Sequence, residues 1–214
     1  MKKTSEDQRV FRVGRRNVVL NFRSQPESEF GFYANAFHEA AQTLANEFMG
    51  RPGYSDLEAL PIVFLYRHAL ELYFKSVLLV GNQLLEMNGD EIPAADIQAV
   101  LSSHRLTPLL PHFRKILKAA GFVWNWPDDP HLKSFEDLRK VLREVEAVDA
   151  DSFAFRYPIT KKGAASVPHN FTFDLVEAVK ILDRLVEMLD AAHTGLEATY
   201  EAACDAFTQT YSYE

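Results

Sequence analysis

Arg67, His68, Glu71 and Lys75 stand inside the most apolar stretch of the chain, residues 61–80. Arg67, Glu71 and Lys75 follow one another at four-residue steps, so on a helix they share a stripe, and His68 is three residues from Glu71 and can also touch it. Two kinds of chemistry are open to such a set. With His104 and Arg156 brought in from later segments, the group can line a pocket in which Arg67, Lys75 or Arg156 holds a nucleotide phosphate. Alternatively it is a buried polar network, in which Glu71 pairs with Arg156 or Lys75 and pins a loop against the core. One carboxylate and one cation satisfy each other, so the structural reading is the simpler one.

The stripe requires a particular helix to carry it. Val63, Phe64, Leu70, Tyr73, Phe74, Val77 and Leu78 fall on an apolar face too wide for a helix with one side in water. The spacing therefore predicts a central helix, capped by Ser55 or Asp56, with Pro61 in its first turns, and running to about Leu85. An unpaired buried charge costs several kcal/mol, so neighbouring segments must bring complementary groups to the stripe.

Those neighbours are legible as further helices. Ser28 is the expected cap of a first helix reaching Met49, with Phe30, Tyr33, Ala34, Phe37, Ala41, Leu44, Ala45 and Phe48 at helical spacing. Pro93 opens a short helix to about Leu101. Residues 102–107 are a joint, after which Thr107 caps a helix that has Pro108 at its first position and ends before Gly121. The aromatic loop 122–130 is expected to cover the core, and Trp124 and Trp126 suit the plug of a bundle end better than base stacking. Leu132, Phe135, Leu138, Val141, Leu142 and Val145 mark another helix ending near Val148, and residues 149–170 read as a long irregular segment. Thr172 is the expected cap of the last helix, whose seam from Leu175 to Phe207 is interrupted by His193. If Gly195 does not end it, that helix spans roughly 50 Å and projects as a docking surface; otherwise a short helix folds back. With no strand–helix alternation, the fold reads as an all-α, up-and-down bundle.

Composition narrows the rest. The chain has 214 residues, 47% of them hydrophobic, enough for one good core. A single cysteine, Cys204, excludes an internal disulfide framework and points to a reducing, cytoplasmic setting. No apolar run follows the N-terminal charges and none is long enough to span a bilayer, so neither a leader nor a membrane segment is expected. The net charge of −7 argues against a general nucleic-acid binder, but residues 1–24 carry seven cations against two carboxylates. Residues 1–27 are therefore read as a basic N-terminal arm with strand-like composition over 9–22, and residues 28–214 as the helical domain. The arm can contact RNA or phosphate, or dock on the acidic surface of its own or a second chain. His104, His112, His131 and His169 lack metal-ligand spacing, and there is no glycine-rich phosphate loop, so no metal or other cofactor is expected.

Three segments together resemble the HEPN (higher eukaryotes and prokaryotes nucleotide-binding) superfamily. They are Leu65-Tyr-Arg-His-Ala-Leu-Glu-Leu-Tyr-Phe-Lys75, the joint Ser103-His-Arg-Leu106, and Phe155-Arg-Tyr-Pro158 ahead of a long last helix. The resemblance covers roughly residues 28–195. It implies a dimeric four- or five-helix bundle in defence, toxin–antitoxin or nucleotidyltransferase-associated settings, with RNA, a nucleotide, or an antitoxin or nucleotidyltransferase protein as partner. Many such proteins are metal-independent ribonucleases whose signature is an Arg and a His four to six residues apart; others are non-catalytic binding modules. Here Arg105 and His112 have six residues between them. In the ribonuclease reading, His112 transfers protons and Arg105 stabilises the charged phosphorane, with two copies meeting over one RNA phosphate. The pair departs from the pattern in three ways: it precedes the last core helix, Leu106 follows the Arg, and Pro108 and Pro111 interrupt the span.

Overall fold

The structure, a computed structural model, describes residues 26–53 and 55–211 together with Val18 and Leu20. The arm expected over residues 9–22 lies outside the described residues, save those two exposed side chains. Among the described residues six α-helices carry the fold: α1 (Phe30–Gly50), α2 (Ala59–Glu86), α3 (Ala94–Ser102), α4 (Leu110–Ala119), α5 (Phe135–Asp149) and α6 (Leu175–Tyr211). No sheet forms among the described residues; Asn125–Ser134 and Ile159–Ala165 make isolated antiparallel bridges. The all-α expectation holds.

The central helix is central. Tyr66, Leu70, Tyr73, Phe74, Val77 and Leu78 of α2 are all at most 1% exposed. α1, α4 and α6 gather round them. Two glycines set how closely. A Cβ on Gly81 would lie 2.2 Å from Ile116 Cγ2, so α2 and α4 approach to a distance only hydrogen permits. Gly31 of α1 does the same for α6, where a Cβ would lie 2.6 Å from His193 Nε2.

The start of α2 follows expectation, with Ser55 making a capping box with Glu58 through a single 3-10 turn, Asp56–Glu58. Three other caps differ. α1 is entered through a 3-10 turn, Pro26–Glu29, and takes Glu29 rather than Ser28 as its N-cap, with no capping side chain. Thr107 is not a cap but the first residue of a 3-10 turn, Thr107–Leu109, that leads into α4. The orphan amides there are met from another helix: Glu146 of α5 accepts from the Leu106 and Thr107 N–H groups and from the Thr107 hydroxyl. At α6 the Thr172 hydroxyl turns back to the Asn170 carbonyl, and Asp174 accepts from the Glu177 N–H instead. A short polar side chain near a helix start has several local partners, and tertiary contacts choose among them.

α6 is one helix of 37 residues, about 55 Å at 1.5 Å per residue. It runs straight through Gly195, where a Cβ would lie 3.0 Å from the Phe122 ring. That glycine makes room for the ring and does not end the helix. The loop carrying Phe122 does cover the core: Trp124 is buried against Phe113, and its indole N–H donates to the Leu132 carbonyl at 3.2 Å.

Candidate functional site

The stripe on α2 is almost wholly enclosed. Arg67, Glu71 and Lys75 are 1%, 2% and 4% exposed. Lys75 Nζ donates to Glu71 Oε1 at 2.8 Å and to the Leu101 carbonyl at 3.0 Å. Arg67 donates through Nη1 to Glu71 Oε2 at 3.5 Å and through Nη2 to the His104 carbonyl. The two cations thus hold the backbone at the end of α3 and in the joint that follows it, while Arg67 Nε has no hydrogen-bond partner among the described residues. Burial alone would raise the Glu71 carboxyl, but the Lys75 hydrogen bond and charge, with Arg67 and His104, outweigh it and hold the group below its usual range.

Glu71 has one further partner, and it reaches the surface. His104 Nδ1 lies 2.9 Å from Glu71 Oε1, while the His104 side chain is 53% exposed. A buried carboxylate on Nδ1 fixes the ring's orientation and favours the tautomer whose Nε2 is free to accept a proton.

His68 and Arg156 both pack on aromatic rings. His68 is half-buried between Phe37, at 4.5 Å edge-on, and Phe64, stacked at 5.7 Å. Burial, more than the neighbouring Arg156, Arg67 and Lys75 charges, lowers its pKa and keeps the ring neutral. Arg156 does not pair with Glu71, because Lys75 holds that carboxylate. Its guanidinium instead lies over the rings of Phe64, at 5.3 Å, and Tyr157, at 5.8 Å.

His104 opens on a groove of about 820 Å³ between the α3–α4 joint and the segment after α5. Arg105, Arg156, Lys161 and Lys162 line it, against Asp149 and Asp151. Asp149 is buried, and its Oδ1 accepts from the N–H groups of Phe153 and Ala154 at 2.6 and 2.9 Å. Those bonds, with Ser152 in the left-handed region at φ 53°, turn the chain so that Arg156 faces the same groove as His104. Phe153 and Tyr157 stack at 4.4 Å along one wall.

Arg105 belongs to this groove, 3.8 Å from Asp151. His112 does not line it. It sits in α4 beyond the turn that Glu146 clamps, and among the described residues no hydrogen bond joins it to Arg105. No known family model, curated protein or solved structure matches this chain.

Two further polar clusters, one part-buried and one buried, join distant segments. Asp183 Oδ1 of α6 accepts from Gln42 at 2.9 Å and Tyr66 at 3.1 Å and lies 2.6 Å from His38 Nε2. Burial first, then the Asp183 charge, raises the Tyr66 hydroxyl far above its usual value. Ser76 of α2 lies 3.2 Å from His193 Nδ1, which gives the polar break in the α6 seam a partner. Only His193 left a sequence signal; the other partners are more than one hundred residues apart and share no spacing.

Proposed function

We propose that the chain binds single-stranded RNA in the His104 groove and cleaves its phosphodiester backbone, with His104 as the proton-transferring group. The observation that carries this reading is a histidine held through Nδ1 by a buried carboxylate and opening among four cationic side chains. His104 Nε2 takes the proton of a ribose 2′-hydroxyl as its oxygen attacks phosphorus. The imidazolium so formed is stabilised by Glu71 and returns the proton to the departing 5′-oxygen, leaving a 2′,3′-cyclic phosphate and a 5′-hydroxyl. Arg105 and Arg156 balance the charge that builds on the phosphorane, and Lys161 and Lys162 hold flanking phosphates. The resemblance to HEPN ribonucleases supports the reaction class and its independence of metal, as well as a defence or toxin–antitoxin setting with a homodimer or a protein partner.

Cleavage of a labelled RNA by purified protein in the presence of a chelator tests this. His104→Ala should lower the rate by about 10²–10⁴-fold while RNA affinity changes little, and His112→Ala should retain cleavage. Undiminished cleavage by His104→Ala ends the assignment, and loss in His112→Ala instead makes Arg105 and His112 the catalytic pair. RNA that is bound but never cleaved leaves the non-catalytic binding module.

A further inference from the structure

Three arginines from two helices line a second cavity, beside the other end of the α3–α4 joint. It measures about 580 Å³, and Thr107, Pro111, Phe135, Arg114, Arg139 and Arg143 are among its lining residues; among the described residues no carboxylate lines it. In a chain of net charge −7, such a one-sided set is a local exception. Arg139 and Arg143 lie one turn apart on α5, a spacing at which like charges repel. Arg139 has Glu136 beside it at 3.1 Å, and Arg114 rests over the Phe135 ring at 5.4 Å. Arg143 is exposed and enters no ion pair among the described residues.

Repulsion between guanidinium groups around one cavity is relieved by an anion, and their planar forks match phosphate oxygens two at a time. The cavity is also close to the His104 groove. Arg105 lines the groove and Thr107 lines this cavity, and two residues of chain separate their Cα atoms by at most about 7 Å.

We infer that Arg114, Arg139 and Arg143 form a second phosphate-binding subsite for the same RNA strand, which crosses the joint from the His104 groove. The substrate class is then an oligonucleotide long enough to reach both places, not a mononucleotide. This inference rests on the RNA reading of the groove.

Fluorescence anisotropy with labelled oligouridylates of about 4 and about 16 nucleotides, 2′-O-methylated so that they bind without being cleaved, separates the two claims. The R114Q/R139Q/R143Q variant should lose at least tenfold in affinity for the long RNA and leave the short one unchanged. Its log K against log salt slope for the long RNA should be shallower by about two, as expected for three lost contacts to a single strand. K161Q/K162Q should weaken both lengths. If the triple variant does not fold, the exposed R143Q alone should make the slope shallower by about 0.7. Unchanged long-RNA affinity and slope, or equal losses at both lengths, overturn the second subsite and leave the groove standing. Wild-type protein that binds neither length removes the RNA reading itself.

Discussion

His104 Nδ1 lies 2.9 Å from Oε1 of Glu71, a residue 33 positions earlier in the chain. A half-exposed ring is thereby anchored to a carboxylate that is itself 2% exposed and shared with Lys75 and Arg67. The same atom that completes the core's charge balance orients the groove's only histidine. Structure and proposed chemistry are therefore coupled through Glu71.

Glu71→Gln should be costly. It leaves the Lys75 ammonium and the Arg67 guanidinium buried without their carboxylate, a loss of about 3–5 kcal/mol for a broken buried pair. Urea unfolding followed by far-UV circular dichroism measures it. A loss under about 1 kcal/mol would mean that the backbone carbonyls of Leu101 and His104 satisfy both cations unaided.

Acidification should destabilise the fold in two stages. His68 is held neutral by burial, with its folded pKa below the unfolded value of about 6.5, so it contributes stability above that pH and loses it as pH falls toward the folded pKa. Glu71 is likewise depressed, and its contribution is lost only as pH falls below the ordinary carboxylate range. Thermal melts from pH 8 to 4 should show the first decline, and His68→Leu should flatten it below about pH 6.5. An identical profile in that variant rules out His68 as its source.

Gly81→Ala should destabilise even though alanine is the better helix former by about 1 kcal/mol. The added Cβ would meet Ile116 Cγ2 at 2.2 Å, and overpacking of a filled core costs about 1–3 kcal/mol. Combining it with Ile116→Ala should recover at least about 1 kcal/mol relative to the sum of the two single changes. Strict additivity in that double-mutant cycle would show that the two positions do not press on each other.

Glu146→Gln tests the clamp on α4. Its carboxylate takes two backbone N–H groups and a hydroxyl at once, so its neutralisation should cost about 1–2 kcal/mol, the scale of a lost helix cap. Amide exchange at Leu106 and Thr107 should quicken more than exchange in the middle of α2. Uniform quickening throughout would point to global destabilisation instead.

Much of this could be read from the residues alone, because it depends on local periodicity. The apolar run 61–80 is too wide for a half-exposed helix, and Arg67, Glu71 and Lys75 at four-residue steps must pair along it; both follow from the helical period. What lay beyond it was every choice among partners distant in the chain. Sequence offered Glu71 both Lys75 and Arg156, and packing gave it Lys75 and His104 while laying Arg156 on Phe64. In the sequence Gly195 either ends the helix or lets it continue; packing shows that it continues and gives the residue a use, as clearance for the Phe122 ring. Arg105 and His112 fit a spacing, yet the turn at Thr107, clamped by Glu146 from α5, sends them to different surroundings. Local pattern sets which faces are buried, whereas the position of a titratable side chain depends on contacts formed only once the helices pack.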